Sequence, residues 1–394
     1  MAFYSGTATT INNSGTYIFG NTVFSSSTLA TIADPSIVYN DHFGGSIAIA
    51  NGRIYIGQRI SSINTFGYGQ IDIYDFNGNL LSSVTDFSYN SSSLFGYALA
   101  ASGNNLYISS YGADVVYQAG ANGNYVLGVG NFGSSNPKGF GYAIAAGCGI
   151  FVVTRPFDSV TSSIYGGFDI YDNAGNYING HSGPQSAGLY SAGLGTAVAV
   201  GCGVIVVGAA NYSDSATART SGLTYVYNLY GQLLYSLGTP VYTYPNEMFG
   251  GTVAVGSGRI AVASANATVN STYYAGYVHI FDLVGNWIGS IPNPLPGTYA
   301  NFGTQIVIDS DRIAITAPAP SSNGGAVFIY TLNGDLINTI TSTTSTFGTK
   351  MAMGYGKLVV SSSDYASSTG TVYVYNIDST LGGYYDYLLD KPIY

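Results

Sequence analysis

The fold is decided by the stretch Phe43-Gly44-Gly45-Ser46-Ile47-Ala48-Ile49-Ala50-Asn51-Gly52-Arg53-Ile54-Tyr55-Ile56-Gly57. A Phe-Gly pair leads into a short run of alternating apolar residues, and a tight turn separates this run from a second one. Alternation with a period of two is typical of β-strands. The stretch therefore predicts two strands, called a and b, joined by a hairpin turn.

The same pattern recurs along the whole chain. Seven similar units begin with a Phe-Gly marker, or with Leu-Gly in the fourth, at Phe43, Phe95, Phe140, Leu194, Phe249, Phe302 and Phe347. The markers are 45 to 55 residues apart, close to the roughly 40 to 50 residues of a four-stranded propeller blade. After a polar loop, each unit continues with a strand c such as Thr371-Val372-Tyr373-Val374-Tyr375, a short turn, and a strand d such as Leu80-Leu81-Ser82-Ser83-Val84.

Seven units of four strands predict an all-β protein, a seven-bladed β-propeller of four-stranded antiparallel blades. Residues 37–394 would form this domain, with blades starting near residues 43, 95, 140, 194, 249, 302 and 347. Residues 1–36 include a strand-like stretch, Thr16–Gly20, which would either close the ring by pairing with the last blade or dock on a partner. The tail from Tyr384 to Tyr394 is the alternative closing segment.

The composition limits the classes of partner. Charged residues make up 7% of the 394 residues, against roughly 25% in an ordinary soluble protein. The net charge of −9 gives no electrostatic reason to bind nucleic acid. No apolar stretch reaches the roughly 18 residues of a membrane span, and the first residues lack the basic and apolar regions of a signal peptide. We therefore expect no nucleic-acid partner, no membrane insertion and no export by that route.

The residue types that usually carry catalysis are scarce and scattered. His42, His181 and His279 fall at non-equivalent positions of their units, so nothing in the spacing brings a nucleophile and a base together. Cys148 and Cys202 occupy the same position of neighbouring units, which are usually too far apart for a disulfide, and we expect free thiols. The sequence predicts no enzyme and no cofactor.

Aspartate is the one catalytic residue type that is plentiful, so a hydrolase with paired carboxylates stays open as an alternative. Asp75, Asp172 and Asp282, however, share one position just before the turn between strands c and d. Asp at such a position accepts hydrogen bonds from its own turn. The periodicity therefore favours a structural role for these carboxylates.

The repeats resemble the FG-GAP propeller family, which includes the head of integrin α-chains. The Phe-Gly markers match the first half of its motif, and Gly208-Ala209-Ala210 and Ala317-Pro318 partly match the second. Many members of that family carry an Asp-x-Asp-x-Asp-Gly calcium loop, and Asp309-Ser310-Asp311 is the nearest approach to one here. Since calcium takes six to eight oxygen ligands, we expect no metal site, with Asp309 and Asp311 solvated or paired with Arg312.

The regular style of the repeats also resembles virion proteins of marine cyanobacterial phages. That resemblance implies a non-enzymatic structural or adsorption protein located in the virion, in a tail, a fibre or the particle surface. Its partners would be other virion or assembly proteins and a glycan or protein of the host surface. The alternative is a released or cell-surface carbohydrate-binding propeller, a lectin-like adhesin.

Four of the ten basic residues occupy one repeat position, after the turn between strands a and b: Arg53, Arg259, Arg312 and Lys357. Blades 2, 3 and 4 have Asn105, Gly149 and Gly203 there. The four belong to blades that are contiguous once the ring closes, so they predict a basic crescent on one face of the disc. It would either contact an acidic partner subunit or an anionic glycan, or pair locally with carboxylates such as Asp75 and Asp282.

The opposite face carries the connections from b to c and from d to the next a, which vary in length and are rich in aromatic residues. Variable loops on a rigid scaffold often bind ligands, and tyrosine gives a large contact area at low entropic cost. The candidate binding residues are Phe66, Tyr68, Tyr111, Tyr165, Tyr212, Tyr273 and Tyr274. The alternative is that their rings fill gaps between blades.

Overall fold

A computed structural model describes residues 9–10, 17–19, 22–24, 27–35, 42–58, 69–88, 92–130, 139–160, 163–183, 193–212, 221–243, 246–296, 300–318, 324–344, 346–363, 370–377 and 379–381. Seven four-stranded antiparallel sheets form a ring, which confirms the predicted all-β, seven-bladed propeller. Apart from one 3-10 turn at Tyr111–Ala113, the elements found in these ranges are β-strands.

Each blade runs outward from the central axis in the order a, b, c, d. The a strands, which surround the axis, are Ser46–Ala50, Phe95–Ser102, Ile144–Gly147, Ala197–Gly201, Phe249–Gly256, Ile306–Asp309 and Phe347–Gly354. The b strands are Arg53–Gln58, Asn105–Ser110, Ile150–Thr154, Val204–Ala209, Arg259–Ser264, Arg312–Ala317 and Lys357–Ser362.

The outer half of each blade is a second hairpin. The c strands are Gln70–Tyr74, Val115–Gly120, Gly167–Asp172, Leu223–Asn228, Tyr277–Asp282, Ala326–Thr331 and Thr371–Asn376. The d strands of blades 1 to 6 are Leu80–Thr85, Tyr125–Gly130, Tyr177–Ser182, Leu233–Leu237, Trp287–Pro292 and Leu336–Thr341. A short hairpin, Ser159–Val160 with Ser163–Ile164, decorates blade 3.

The d strand of blade 7 comes from the other end of the chain. Thr28–Ala33 pairs with Thr371–Asn376, with Ile32 opposite Val372, and so closes the ring. The stretch Thr16–Gly20 was expected either to take this role or to dock on a partner. It contains the strand Tyr17–Phe19, which pairs with the small strands Thr9–Thr10 and Thr22–Phe24. Ser379–Leu381 completes that small sheet, and the tail from Tyr384 to Tyr394 lies outside the described residues.

The Phe-Gly marker has a physical role at every blade interface. Phe249, for example, is fully buried between Val226 of blade 4 and Val262 of blade 5. The glycine that follows a marker has a positive φ, as Gly303 does at +95°, and a Cβ there would lie 2.8 Å from the Ala263 Cβ of the preceding blade. The aromatic ring therefore fills the gap between two blades, and the glycine lets their backbones approach.

Candidate functional site

The disc has two different faces. The hairpin face carries the turns between a and b and between c and d, and the loop face carries the connections from b to c and from d to the next a. Each a strand starts at the loop face and runs along the axis to the hairpin face. The residues just after a marker therefore surround the central channel where it opens onto the loop face.

A cavity of about 470 Å³ lies at this opening, which we call the channel mouth. All seven blades contribute to it through the first to third residues after the marker pair, or through the second and third in blade 7. The lining residues are Gly45–Ile47, Tyr97–Leu99, Tyr142–Ile144, Thr196–Val198, Gly251–Val253, Thr304–Ile306 and Lys350–Met351. A concave site of this size with a few polar groups is where a small ligand usually binds.

Blades 2 and 3 give the channel mouth an aromatic wall. Tyr97 stacks on Tyr111 with ring centroids 4.6 Å apart, and Tyr142 lies 6.0 Å from Tyr97 and 5.5 Å from Phe157. Burial, with smaller contributions from Tyr142 and Asp114, raises the pKa of Tyr111. Tyr111 is therefore a neutral phenol at physiological pH, able to donate and to accept a hydrogen bond.

Blades 5 to 7 give the opposite side a polar wall. Thr252 Oγ1 donates to the Thr304 carbonyl oxygen at 3.0 Å, which joins blades 5 and 6. Gln305 Nε2 donates to the same carbonyl at 2.8 Å. Lys350 brings an ammonium group to this side. The lining residues described include hydroxyls, an amide and an amine but neither a carboxylate nor an imidazole, so the site is suited to hydrogen bonding with a neutral or acidic ligand.

The structure places one of the predicted aromatic residues, Tyr111, behind the wall of the channel mouth, where it stacks on the lining residue Tyr97. Tyr212 instead packs against the core between blades 3 and 4. Tyr165 is half-buried, and its carbonyl accepts the Leu194 N–H at 3.2 Å. Tyr273 is 55% exposed in the b–c connection of blade 5, beside Tyr274. Phe66 and Tyr68 lie outside the described residues.

The sequence analysis missed Tyr97 and Tyr142, although a signal for them was present. Both stand directly after the marker glycine, in Phe95-Gly96-Tyr97 and Phe140-Gly141-Tyr142. The other five blades have Gly or Thr at this position. A large residue that replaces a small one in two adjacent repeats, at a position beside the channel mouth, indicates a specialised surface.

The four basic residues start their b strands at the hairpin face, but all four are buried or half-buried rather than exposed. Arg259 donates to the Leu332 carbonyl oxygen at 3.3 Å in the c–d turn of the next blade. Lys357 Nζ donates to Asn376 Oδ1 at 3.0 Å and lies 6.0 Å from the centre of the Phe76 ring. Arg312 is 6% exposed and pairs through Nε with Asp311 at 3.3 Å. Arg53 is half-buried.

Strand pairing also corrects the alignment of this position. Ile150 and Val204, and not Gly149 and Gly203, are the counterparts of Arg53 in blades 3 and 4. Gly149 and Gly203 belong to the a–b turns, in which several small residues follow one another. The correction leaves the basic residues confined to blades 5, 6, 7 and 1.

The carboxylates expected to pair with these bases instead accept hydrogen bonds from residues of their own turns. Asp75 Oδ1 accepts the Asn77 and Asn79 N–H groups at 2.9 Å each. Asp282 holds the turn of blade 5 in the same way. The Asn79 side chain also donates to the Asp75 carboxylate. This bond has the largest effect, and together with the backbone bonds it lowers the pKa of Asp75. The prediction of turn chemistry thus describes these residues better than the prediction of ion pairs.

The remaining reactive groups are separated from the channel mouth. Cys148 and Cys202 are free and exposed in turns of the hairpin face. His279 is buried within blade 5 between the Ser290 and Ser264 hydroxyls, at 2.7 and 3.3 Å, and burial lowers its pKa to about 4. Among the described residues, no group of three or more His, Cys, Asp and Glu side chains could hold a metal ion. No helix in the same ranges is long and apolar enough to span a membrane.

Comparison with known proteins supports the fold and little else. No protein-family model matches the chain, so the resemblance to FG-GAP repeats stays a prediction. No curated protein matches it either. Among solved structures, one described as "Streptogramin B lyase structure" is similar with a TM-score of 0.60 and 11% sequence identity, over 87% of this chain and 98% of that one. At this level of identity, the similarity places the chain among β-propellers and leaves its activity open.

Proposed function

We propose that this protein is a non-enzymatic binding protein that holds a glycan at the channel mouth, and that it serves as a structural or adsorption component of a virus particle. The observation that carries the proposal is the pairing of an aromatic wall with a polar wall in one cavity. The Tyr97 and Tyr142 rings stand on one side, with Tyr111 stacked on Tyr97, and Thr252, Gln305 and Lys350 stand on the other.

The chemistry of the two walls matches that of a sugar ring. A pyranose presents C–H groups on its faces and hydroxyls around its rim. Rings such as Tyr97 and Tyr142 offer flat apolar area to a face, and threonine and glutamine side chains offer donors and acceptors to the rim. Lys350 favours a sugar that carries a carboxylate or a sulfate.

The cavity offers little for catalysis. General acid–base catalysis usually depends on His, Asp, Glu or a Lys or Tyr with a shifted pKa near the reacting bond. Carboxylates and imidazoles are missing from the lining residues that the structure describes. Burial raises the pKa of Tyr111, which stacks on the lining residue Tyr97, further from physiological pH. A binding role therefore fits these residues better than a hydrolytic one.

The particle role rests on the sequence. Low charge and abundant Tyr, Ser and Asn suit a stable surface outside cells, and the repeats resemble those of phage virion proteins. The same site would serve a released or cell-surface lectin-like adhesin. The two roles differ in where the protein is found, so mass spectrometry of purified particles against cell-free supernatant distinguishes them.

A glycan array with three proteins tests the ligand class. The wild type should bind a defined set of glycans, and Tyr97→Thr combined with Tyr142→Thr should weaken that binding at least tenfold. Threonine is the natural residue at this position in three other blades, so the variant should keep its fold. Tyr273→Thr, on the same face but outside the cavity, is the matched control. Equal losses in both variants, or no bound glycan for the wild type, would refute the proposal.

A further inference from the structure

Exposed apolar side chains concentrate on the hairpin face. Within the described ranges, twenty large apolar residues are well exposed, and fifteen of them lie on this face or its rim. Three are turn residues: Tyr230, Val284 and Tyr355. The other twelve occupy the first two positions of the d strands: Leu29, Leu80, Leu81, Tyr125, Val126, Tyr177, Ile178, Leu233, Leu234, Trp287, Ile288 and Leu336.

These twelve residues recur so regularly that they indicate one shared surface rather than a set of unrelated exposed side chains. They recur at one place in all seven blades, so they form a belt around the rim of the hairpin face. Strand formation does not require them, because Thr28 holds the first position in blade 7 and Ser82 and Ser83 follow in blade 1. Polar β-formers would make the same strands without exposing apolar area.

The exposed area is large enough for a stable interface. Fifteen side chains that are each roughly half exposed present on the order of 1,000 Å² of apolar surface, whereas a standard interface buries about 800 Å² per partner. This belt therefore fits a surface that is covered in the working protein.

We propose that the hairpin face binds the hairpin face of a second copy of this chain, in a two-fold symmetric dimer. The turns on this face are short and similar in length, so seven blades end at one level. Because the belt repeats with the blades, a two-fold axis lying in the face sets the apolar rim of one copy against that of the other. An isologous contact of this kind closes at two subunits.

The hairpin face also carries the aspartates of the c–d turns, among them Asp75, Asp172 and Asp282. A lipid surface suits the face less well, because the turn carboxylates of four blades would enter it with the apolar belt.

Light scattering after size-exclusion chromatography of the full chain tests the dimer. The wild type should elute with twice the chain mass of 41.0 kDa. A variant with Leu233→Thr, Leu234→Thr, Trp287→Thr and Ile288→Thr should dissociate at least tenfold more readily. Tyr273→Thr with Leu295→Thr, equally exposed residues of the loop side, should remain dimeric. A wild type that is monomeric at about 50 μM, or a control that dissociates as readily as the belt variant, would overturn the proposal.

The natural thiols give a second readout that does not depend on any variant folding. Cys148 and Cys202 lie on the hairpin face, so a maleimide should label them several-fold faster when the wild type is diluted into its monomeric range. Labelling rates that do not change with concentration would contradict the face assignment. A monomer that floats with phosphatidylcholine vesicles would assign the belt to lipid and overturn the dimer. These readouts are independent of glycan binding, so the two proposals succeed or fail separately.

Discussion

Tyr97 and Tyr111 stack with their ring planes only 21° apart, although one belongs to an inner strand and the other to the connection after strand b. The contact ties the wall of the central channel to a loop of the same blade. A stacked aromatic pair contributes about 0.5 to 1.5 kcal/mol beyond its buried area. The pair therefore both shapes the channel mouth and fixes the loop beside it.

Replacing Tyr97 separates these two roles. We expect Tyr97→Thr to lower the free energy of unfolding by only about 1 kcal/mol, because Thr196 and Thr304 occupy the equivalent position in blades 4 and 6. Urea titration measures this loss, and glycan titration measures the effect on binding. Tyr273→Thr, on the same face but outside the cavity, is the control and should change neither quantity. A loss of several kcal/mol would show that Tyr97 is a core residue.

The marker glycines should tolerate no side chain. Gly303→Ala combines a positive φ with a Cβ that would lie 2.8 Å from Ala263, and we expect it to lower the free energy of unfolding by about 2 to 4 kcal/mol. Gly289→Ala is the control, because no heavy atom lies within 4 Å of its added Cβ. Equal stability of the two variants in chemical denaturation would contradict the proposed role of the marker.

His279 should make the protein sensitive to mild acid. Burial lowers its pKa to about 4, whereas the unfolded chain takes up the proton near pH 6.5. The stability that this residue contributes is therefore complete above pH 6.5 and is lost as the pH falls from 6.5 toward 4. Between pH 7.5 and 4.5 the loss should be about 2.5 kcal/mol.

The residue of blade 6 at this position supplies the control for that experiment. His279→Phe copies Phe328, which occupies the same place in strand c. The variant leaves two serine hydroxyls without the imidazole and should be less stable at pH 7.5, but its stability should vary less between pH 7.5 and 4.5. If both proteins show the same pH dependence in thermal melts, another group is responsible.

The closing strand offers a matched pair of substitutions. Ile32 is buried beside Phe43 and Val374, whereas Leu29 on the same strand is 44% exposed. Ile32→Ala should cost about 2 to 4 kcal/mol, and Leu29→Ala less than about 0.5 kcal/mol. Both are measured by urea unfolding at a concentration that holds the oligomeric state constant. Similar effects of the two changes would argue against closure by this strand.

The repeat period predicted the blades because it is a global property of the chain, but it could not identify the closing strand. Tyr17-Ile18-Phe19 has the stronger β-propensity, but the side chains of Thr28–Ala33 are the ones that fit the place of strand d in blade 7. Small Ala30 and Ile32 fit against the turn glycine of blade 1, Gly78. Tertiary packing decided between the two stretches, and no local pattern records it.

The candidate site was predictable only in part, for a similar reason. The sequence placed Tyr111 on the correct face, but the cavity is made by residues next to the markers, whose convergence depends on the closed ring. The sequence correctly placed the four basic residues at the start of strand b, but it did not show which groups they contact. Arg259 reaches a carbonyl group of the next blade, 73 residues away in sequence, and such a contact leaves no sign in composition or spacing.

The most direct test of the central claim is a crystal structure of the protein with the best glycan from the array. We predict density for the sugar at the channel mouth, with one face of a pyranose against Tyr97 or Tyr142 and hydroxyls toward Thr252 and Gln305. A sugar bound on the outer loops around Tyr273, or on the hairpin face, would contradict the account.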